Sequence, residues 1–253
     1  MAIPDFLPRG TVASSAISVD GVTRRFGRRW ALRGISVEVA PGEVLGIEGH
    51  NGSGKSTLLR VVATAIRATS GPVRLFGRDI REHPDWARSQ VALMGYTPGL
   101  YDDLTARENL VFAARMLGAG RDAAAVDDAL ERVGLLGEAG EQVRTFSSGM
   151  QRRLALGRLL LQRPGVLLLD EPYNSLDKDG VALVNEVVRE VTARAPGSGT
   201  PGAAMIVLHD RRSAVGVLDR VVTMHQGRLA DHAVRASEPE PPPAEWLANK
   251  GHA

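Results

Sequence analysis

The sequence predicts an α/β fold: an antiparallel β portion, a buried parallel sheet, and a helical lobe inserted into it. Three observations carry this. A glycine-rich loop, Gly49-His50-Asn51-Gly52-Ser53-Gly54-Lys55-Ser56-Thr57, stands between an apolar stretch and a helix-like one. The apolar run Val166-Leu167-Leu168-Leu169 ends in Asp170-Glu171-Pro172, the pattern of a parallel strand buried on both faces. Between them, over about 89–163, helical signals replace strand signals.

Taken in order, residues 1–16 carry two prolines and small polar residues, and are expected to lie outside the core, ahead of a domain over 17–233. Alternation in Ile17-Ser18-Val19 and Ile35-Ser36-Val37-Glu38-Val39 predicts half-buried antiparallel strands. The link Arg24-Arg25-Phe26-Gly27-Arg28-Arg29-Trp30 reads as a solvated hairpin, because its basic cluster is short. Phe26 and Trp30 are each placed either to stack on a base or to pack against the strands. Glu43-Val44-Leu45-Gly46-Ile47 is a buried strand feeding the glycine loop, and Leu58-Leu59-Arg60-Val61-Val62 opens the helix after it. Val73-Arg74-Leu75-Phe76-Gly77 is a further strand. Thr105-Ala106-Arg107-Glu108 is a capping box starting an apolar helix. A second helix begins near Asp122 and stops at Gly134. Ser147 or Ser148 caps a third, which ends before Pro164. A helix over about 179–194 then precedes the buried strand Ala204-Met205-Ile206-Val207-Leu208, with His209 at its tip. Val221-Val222-Thr223-Met224 and Arg228-Leu229 close the fold as a hairpin, and a Glu/Pro-rich tail over 234–253 is expected to be disordered.

Composition narrows the function classes. The apolar share of 43% and charged share of 24% are those of an ordinary globular chain. A net charge of +2 without a basic tract argues against a nucleic-acid partner. The absence of cysteine excludes disulfides, thiol catalysis and cysteine-ligated metals. No apolar run approaches the ~18 residues that span a bilayer, and the first ten residues do not have the pattern of a signal peptide. A role at a membrane is therefore expected to run through a partner.

The glycine loop fits G-x-x-x-x-G-K-[ST] at every defining position. Glycines let successive N–H groups curl around a polyphosphate, Lys55 supplies a compact charge to it, and Ser56 a hydroxyl to Mg²⁺. Of 31 basic Lys+Arg residues only Lys55, Lys178 and Lys250 are lysines, so a lysine here stands out against an arginine background. Asp170 and Glu171 fall at the carboxyl end of a parallel strand, where such sheets bind ligands. Asp170 suits a metal and Glu171 the polarising of an attacking water. His209 is a candidate at the same end, and the serine-rich helix start offers a second anion-binding terminus.

In combination, the phosphate loop, Phe146-Ser147-Ser148-Gly149-Met150-Gln151, the Leu-Leu-Leu-Asp-Glu-Pro strand, Ser175-Leu176-Asp177 and the late His209 occur in one order. Together they resemble the nucleotide-binding subunit of ABC transporters. The resemblance implies a P-loop NTPase (RecA-like) core with an antiparallel β subdomain and a helical lobe. It implies ATP and Mg²⁺ as ligands, with residues 49–57 as the Walker A loop and Asp170 as the Walker B aspartate. Glu171 would be the general base and His209 the switch histidine. Phe26 would stack on adenine, which favours it over Trp30. Ser147 and Gly149 of the signature, with Asp177, would meet ATP held by a second copy. The implied partners are that second nucleotide-binding domain and a membrane-embedded permease, at the cytoplasmic side of the cell membrane.

Two departures stand out. The signature reads Phe-Ser-Ser-Gly-Met where the common form is Leu-Ser-Gly-Gly-Gln. The Q-loop glutamine is missing from Met94-Gly95-Tyr96-Thr97-Pro98-Gly99, so that Thr97, with a hydroxyl for a Mg²⁺-bound water, or Tyr96 takes its place. Gly95-Tyr96-Thr97-Pro98-Gly99-Leu100 and the stretch from Asp-Glu-Pro-Tyr to Val181 resemble the haem-export branch of cytochrome c maturation. Met150-Gln151-Arg152-Arg153-Leu154 is shared with drug exporters. A soluble ABC ATPase of iron–sulfur assembly is the further alternative.

Overall fold

The structure, a computed structural model, describes residues 15–117, 123–193, 200–209, 211–214, 216–230 and 234–235. Strands β1 (Ile17–Phe26) and β2 (Arg29–Val39) pair antiparallel, with Ile17 opposite Val39 and Val19 opposite Val37. β3 (Val44–Glu48) runs through the glycine loop into α1 (Lys55–Val62). β4 (Val73–Leu75) and β5 (Arg78–Asp79) complete a four-stranded sheet ordered β2-β1-β4-β5. Helix α2 (Pro84–Gln90) leads to β6 (Val91–Met94). Three helices follow, α3 (Ala106–Met116), α4 (Ala123–Arg132) and α5 (Ser148–Gln162), packed on one another as the helical lobe. The chain then returns through β7 (Val166–Asp170), α6 (Lys178–Ala193), β8 (Ala203–Val207), β9 (Arg220–His225), β10 (Arg228–Leu229) and β11 (Val234–Arg235).

The second sheet is ordered β10-β9-β3-β8-β7-β6, with β11 also on β9. β9, β3, β8, β7 and β6 are parallel throughout, so the carboxyl ends of β3, β8 and β7 stand side by side. Alternate residues of each strand enter different cores. Leu167, Leu169, Ala204 and Ile206 face α5, α6 and the lobe, while Val166, Leu168, Met205 and Val207 face α1 and the antiparallel sheet. Burial on both faces explains why β7 and β8 are apolar at nearly every position.

Three expectations need correction. The stretch from 89 is not helical throughout, because Val91–Met94 pair with Val166–Leu169 as the edge of the parallel ladder. Ala16 is fully buried and donates to the Val39 carbonyl, so the core begins before residue 17. Val234 and Arg235 pair with β9 rather than opening a disordered tail. The remaining expectations for 1–14 and 236–253, and the helix start at Asp122, lie outside the described residues. Among the described residues no helix is long and apolar enough to cross a membrane.

Candidate nucleotide site

The glycine loop is built around close backbone approach. A Cβ on Gly49 would stand 2.1 Å from the Met224 carbonyl, and one on Gly54 would stand 2.5 Å from that of Ala31. Both adopt positive φ, 138° and 111°, where only glycine is comfortable. Lys55, 5% exposed, turns back inside the loop and donates to the carbonyls of Gly49 at 2.6 Å and His50 at 3.1 Å. The loop closes on the neighbouring hairpin, since the Gly227 N–H donates to the Ser53 carbonyl at 2.8 Å. The Ser53 hydroxyl is buried and makes no hydrogen bond within the chain. His50 takes part through its backbone and its side chain is exposed.

A cleft of about 710 Å³ opens above this loop, within the range of ligand pockets. Its walls include Phe26, Asn51, Gly52, Gly54 to Thr57, Tyr96, Glu171, Asn174 and His209. Asp170, 3% exposed, lies beneath it. Burial pushes its carboxyl above the ordinary value, and the hydrogen bond from the Ser56 hydroxyl pulls it part of the way back. Glu171 has a left-handed φ of 54°, and its N–H extends the ladder to the Val207 carbonyl at 3.1 Å. Its carboxylate accepts from His209 Nε2 at 2.7 Å and from Asn174 Nδ2 at 2.8 Å. A broader hollow of about 1000 Å³ between the antiparallel sheet and the β9–β10 hairpin contains none of these groups.

The tertiary structure thus joins residues 49–57, 170–171 and 209, and separates them from others. Phe26 lines the cleft, with the Arg24 guanidinium 4.4 Å from its ring centroid, whereas Trp30 does not line it and has Arg25 beside it. Thr97, expected beside the metal, does not line the cleft; Tyr96 does, and its carbonyl accepts from Arg152 at 3.0 Å. Ser147, Gly149 and Asp177 do not line this cleft either. Ser147 caps α5 by accepting from the Met150 N–H at 3.2 Å. Asp177 caps α6 through the Gly180 N–H at 2.8 Å and is gripped by Arg153 at 2.5 Å. Asn174 went unnoticed as a site residue, its only signal being its place three residues after Glu171.

The donors fit the ligands the fold suggests. Hydroxyl and carboxylate oxygens from Ser56 and Asp170 are a hard-cation set suited to Mg²⁺. Buried Lys55 and the partnerless Ser53 hydroxyl suit a polyphosphate.

A phosphate loop, a Ser–Asp oxygen pair and a positioned carboxylate, gathered at the carboxyl end of a parallel sheet, define a P-loop nucleoside triphosphatase. The model of the ABC transporter family matches residues 32–174. The chain is 37% identical over 220 residues to the daunorubicin resistance ATP-binding protein DrrA3 of Streptomyces coeruleorubidus, covering 86% of this chain and 68% of that one. It is 41% identical over 197 residues to the cytochrome c biogenesis ATP-binding export protein CcmA 2 of Cupriavidus metallidurans, covering 77% and 90%. The fold matches the dimeric post-hydrolysis structure of the ATP-binding cassette MJ0796 bound to ADP and Pi, with TM-score 0.76, 21% identity, and coverage of 88% and 100%. The chain belongs to the ABC transporter ATP-binding family. It is an ATP-hydrolysing subunit that requires Mg²⁺ and pairs with membrane permease subunits.

Proposed function

We propose that this ATPase drives haem export for cytochrome c maturation, working from the cytoplasmic side of the cell membrane. The similarity to CcmA 2 extends over 90% of that protein, and the sequence around Tyr96 and after Pro172 resembles the same branch.

The observation that carries the catalytic reading is the Glu171 carboxylate held by His209 at 2.7 Å over a cleft floored by Lys55. Phe26 stacks on adenine, and Lys55 with the loop N–H groups takes the β- and γ-phosphates. Ser56 and Asp170 would hold Mg²⁺, which neutralises phosphate charge when bound. Glu171 accepts a proton from the water that attacks the γ-phosphorus as the β–γ bridging oxygen leaves with ADP. His209 and Asn174 keep that carboxylate aimed. Ser147, Gly149 and Asp177 face the ATP of a second copy arranged head to tail.

The test uses tagged Glu171→Gln with Mg-ATP as bait in detergent-solubilised membranes, beside a nucleotide-free control. Expected is ATP-dependent capture of a multi-span permease together with haem-handling proteins. Capture of a permease with no haem-handling companion would overturn the haem assignment.

A further inference from the structure

Arg152 is 6% exposed, in the second turn of α5, and its guanidinium forks between two loops. Nη1 donates to the Glu171 carbonyl and Nη2 to the Tyr96 carbonyl at 3.0 Å. Both receiving residues line the nucleotide cleft. A buried guanidinium is expensive to desolvate and is weak evidence of a stabilising role. A rigid fork ending on two main-chain carbonyls sets their relative position instead.

Glu171 needs such a restraint. A left-handed φ of 54° on a non-glycine residue is strained and persists only where the surroundings over-determine it. The Val207 carbonyl holds its N–H, and His209 and Asn174 hold its carboxylate. Arg152 holds the carbonyl, and does so from the helical lobe.

We infer that Arg152 is a positioning residue for Glu171, fixing its main chain so that the carboxylate stays aimed into the cleft. The inference rests on Glu171 being the base. Arg158, further along α5, supplies an internal control. It donates to the carbonyls of Gly99 at 2.9 Å and Pro98 at 3.2 Å, and so grips the same loop without reaching Glu171.

The experiment compares the full chain with Arg152→Met, Arg152→Lys, Arg158→Met, Glu171→Gln and the Arg152→Met/Glu171→Gln double variant. Single-turnover and steady-state ATP hydrolysis, nucleotide affinity and thermal midpoint are measured for each. Expected is a ~10- to 100-fold loss of kcat in Arg152→Met with KM little changed, as a small misplacement of the base produces. Arg152→Lys, which keeps a donor, recovers part of it. Arg158→Met keeps its kcat, and Arg152→Met causes no further loss once Glu171 is Gln. Full kcat in Arg152→Met beside a slow Glu171→Gln would overturn the inference alone. So would an equal fold-loss with and without Glu171, which marks a structural role. Wild-type turnover in Glu171→Gln would instead overturn the reading of Glu171 as base.

Discussion

Asp170 is a carboxylate held almost out of water, 3% exposed, with a hydroxyl from Ser56 as its compensation. Because burial raises its pKa, the folded protein binds protons more tightly than the unfolded chain between the ordinary value of 3.8 and the raised one. Stability of the nucleotide-free protein therefore falls as pH rises through that window. Asp170→Asn removes the charge and keeps an acceptor for Ser56. Its thermal midpoint is expected to exceed the parent's at pH near 7, with the gain vanishing below about pH 4, while stabilisation by Mg-ATP is lost. Equal midpoints at neutral pH would contradict this. Asp170 was legible because an acid after four apolar residues breaks the pattern of a buried strand. The choice between Phe26 and Trp30 was not legible from the residues themselves, since both rings sit in one hairpin and only their direction distinguishes them.

At the level of elements, α3 shows a cap that local sequence specifies completely. The Thr105 hydroxyl accepts from the Glu108 N–H at 3.1 Å, and the Glu108 carboxylate accepts from the Thr105 N–H at 2.8 Å. The Thr105 N–H, joined by the Thr105 hydroxyl donating at 2.9 Å, holds the Glu108 carboxyl below its ordinary value. Thr105→Ala removes one half of the box and is expected to destabilise the protein by about 1 kcal/mol. That corresponds to a fall of ~2–4 °C in the thermal midpoint, measurable by differential scanning calorimetry; an unchanged midpoint would show that packing alone sets the start of α3. Strand β6 was hidden for the opposite reason. Val91-Ala92-Leu93-Met94 has no period of its own, and four apolar residues suit a buried helix turn as well as a buried strand. Pairing with β7 decides between them.

At the scale of the whole molecule, the start of α5 does not contribute to the nucleotide cleft: neither Ser147 nor Gly149 lines it. Gly149 is pressed against the chain after β7, where a Cβ would stand 2.9 Å from the Ser175 carbonyl, and Ser147 and Asp177 cap neighbouring helices. This separation suits a site completed by a second copy. Glu171→Gln with Mg-ATP is expected to elute as a dimer by light scattering. Adding Gly149→Asp should return it to a monomer that still binds nucleotide. A monomeric Glu171→Gln at saturating ATP would contradict the arrangement.

What the sequence determined by itself was local and chemical: the glycine loop, the capped helices, the doubly buried strands and the types of group suited to phosphate and metal. These follow from backbone freedom, side-chain donors and apolar spacing within a few residues. The tertiary structure alone decided what meets what. Strand order β3-β8-β7 brings Lys55, His209 and Glu171 around one cleft, Tyr96 displaces Thr97 at its wall, and Arg152 reaches Glu171 from the lobe. Contacts between residues far apart in the chain depend on sheet register and helix packing, which arise only when both cores are filled at once.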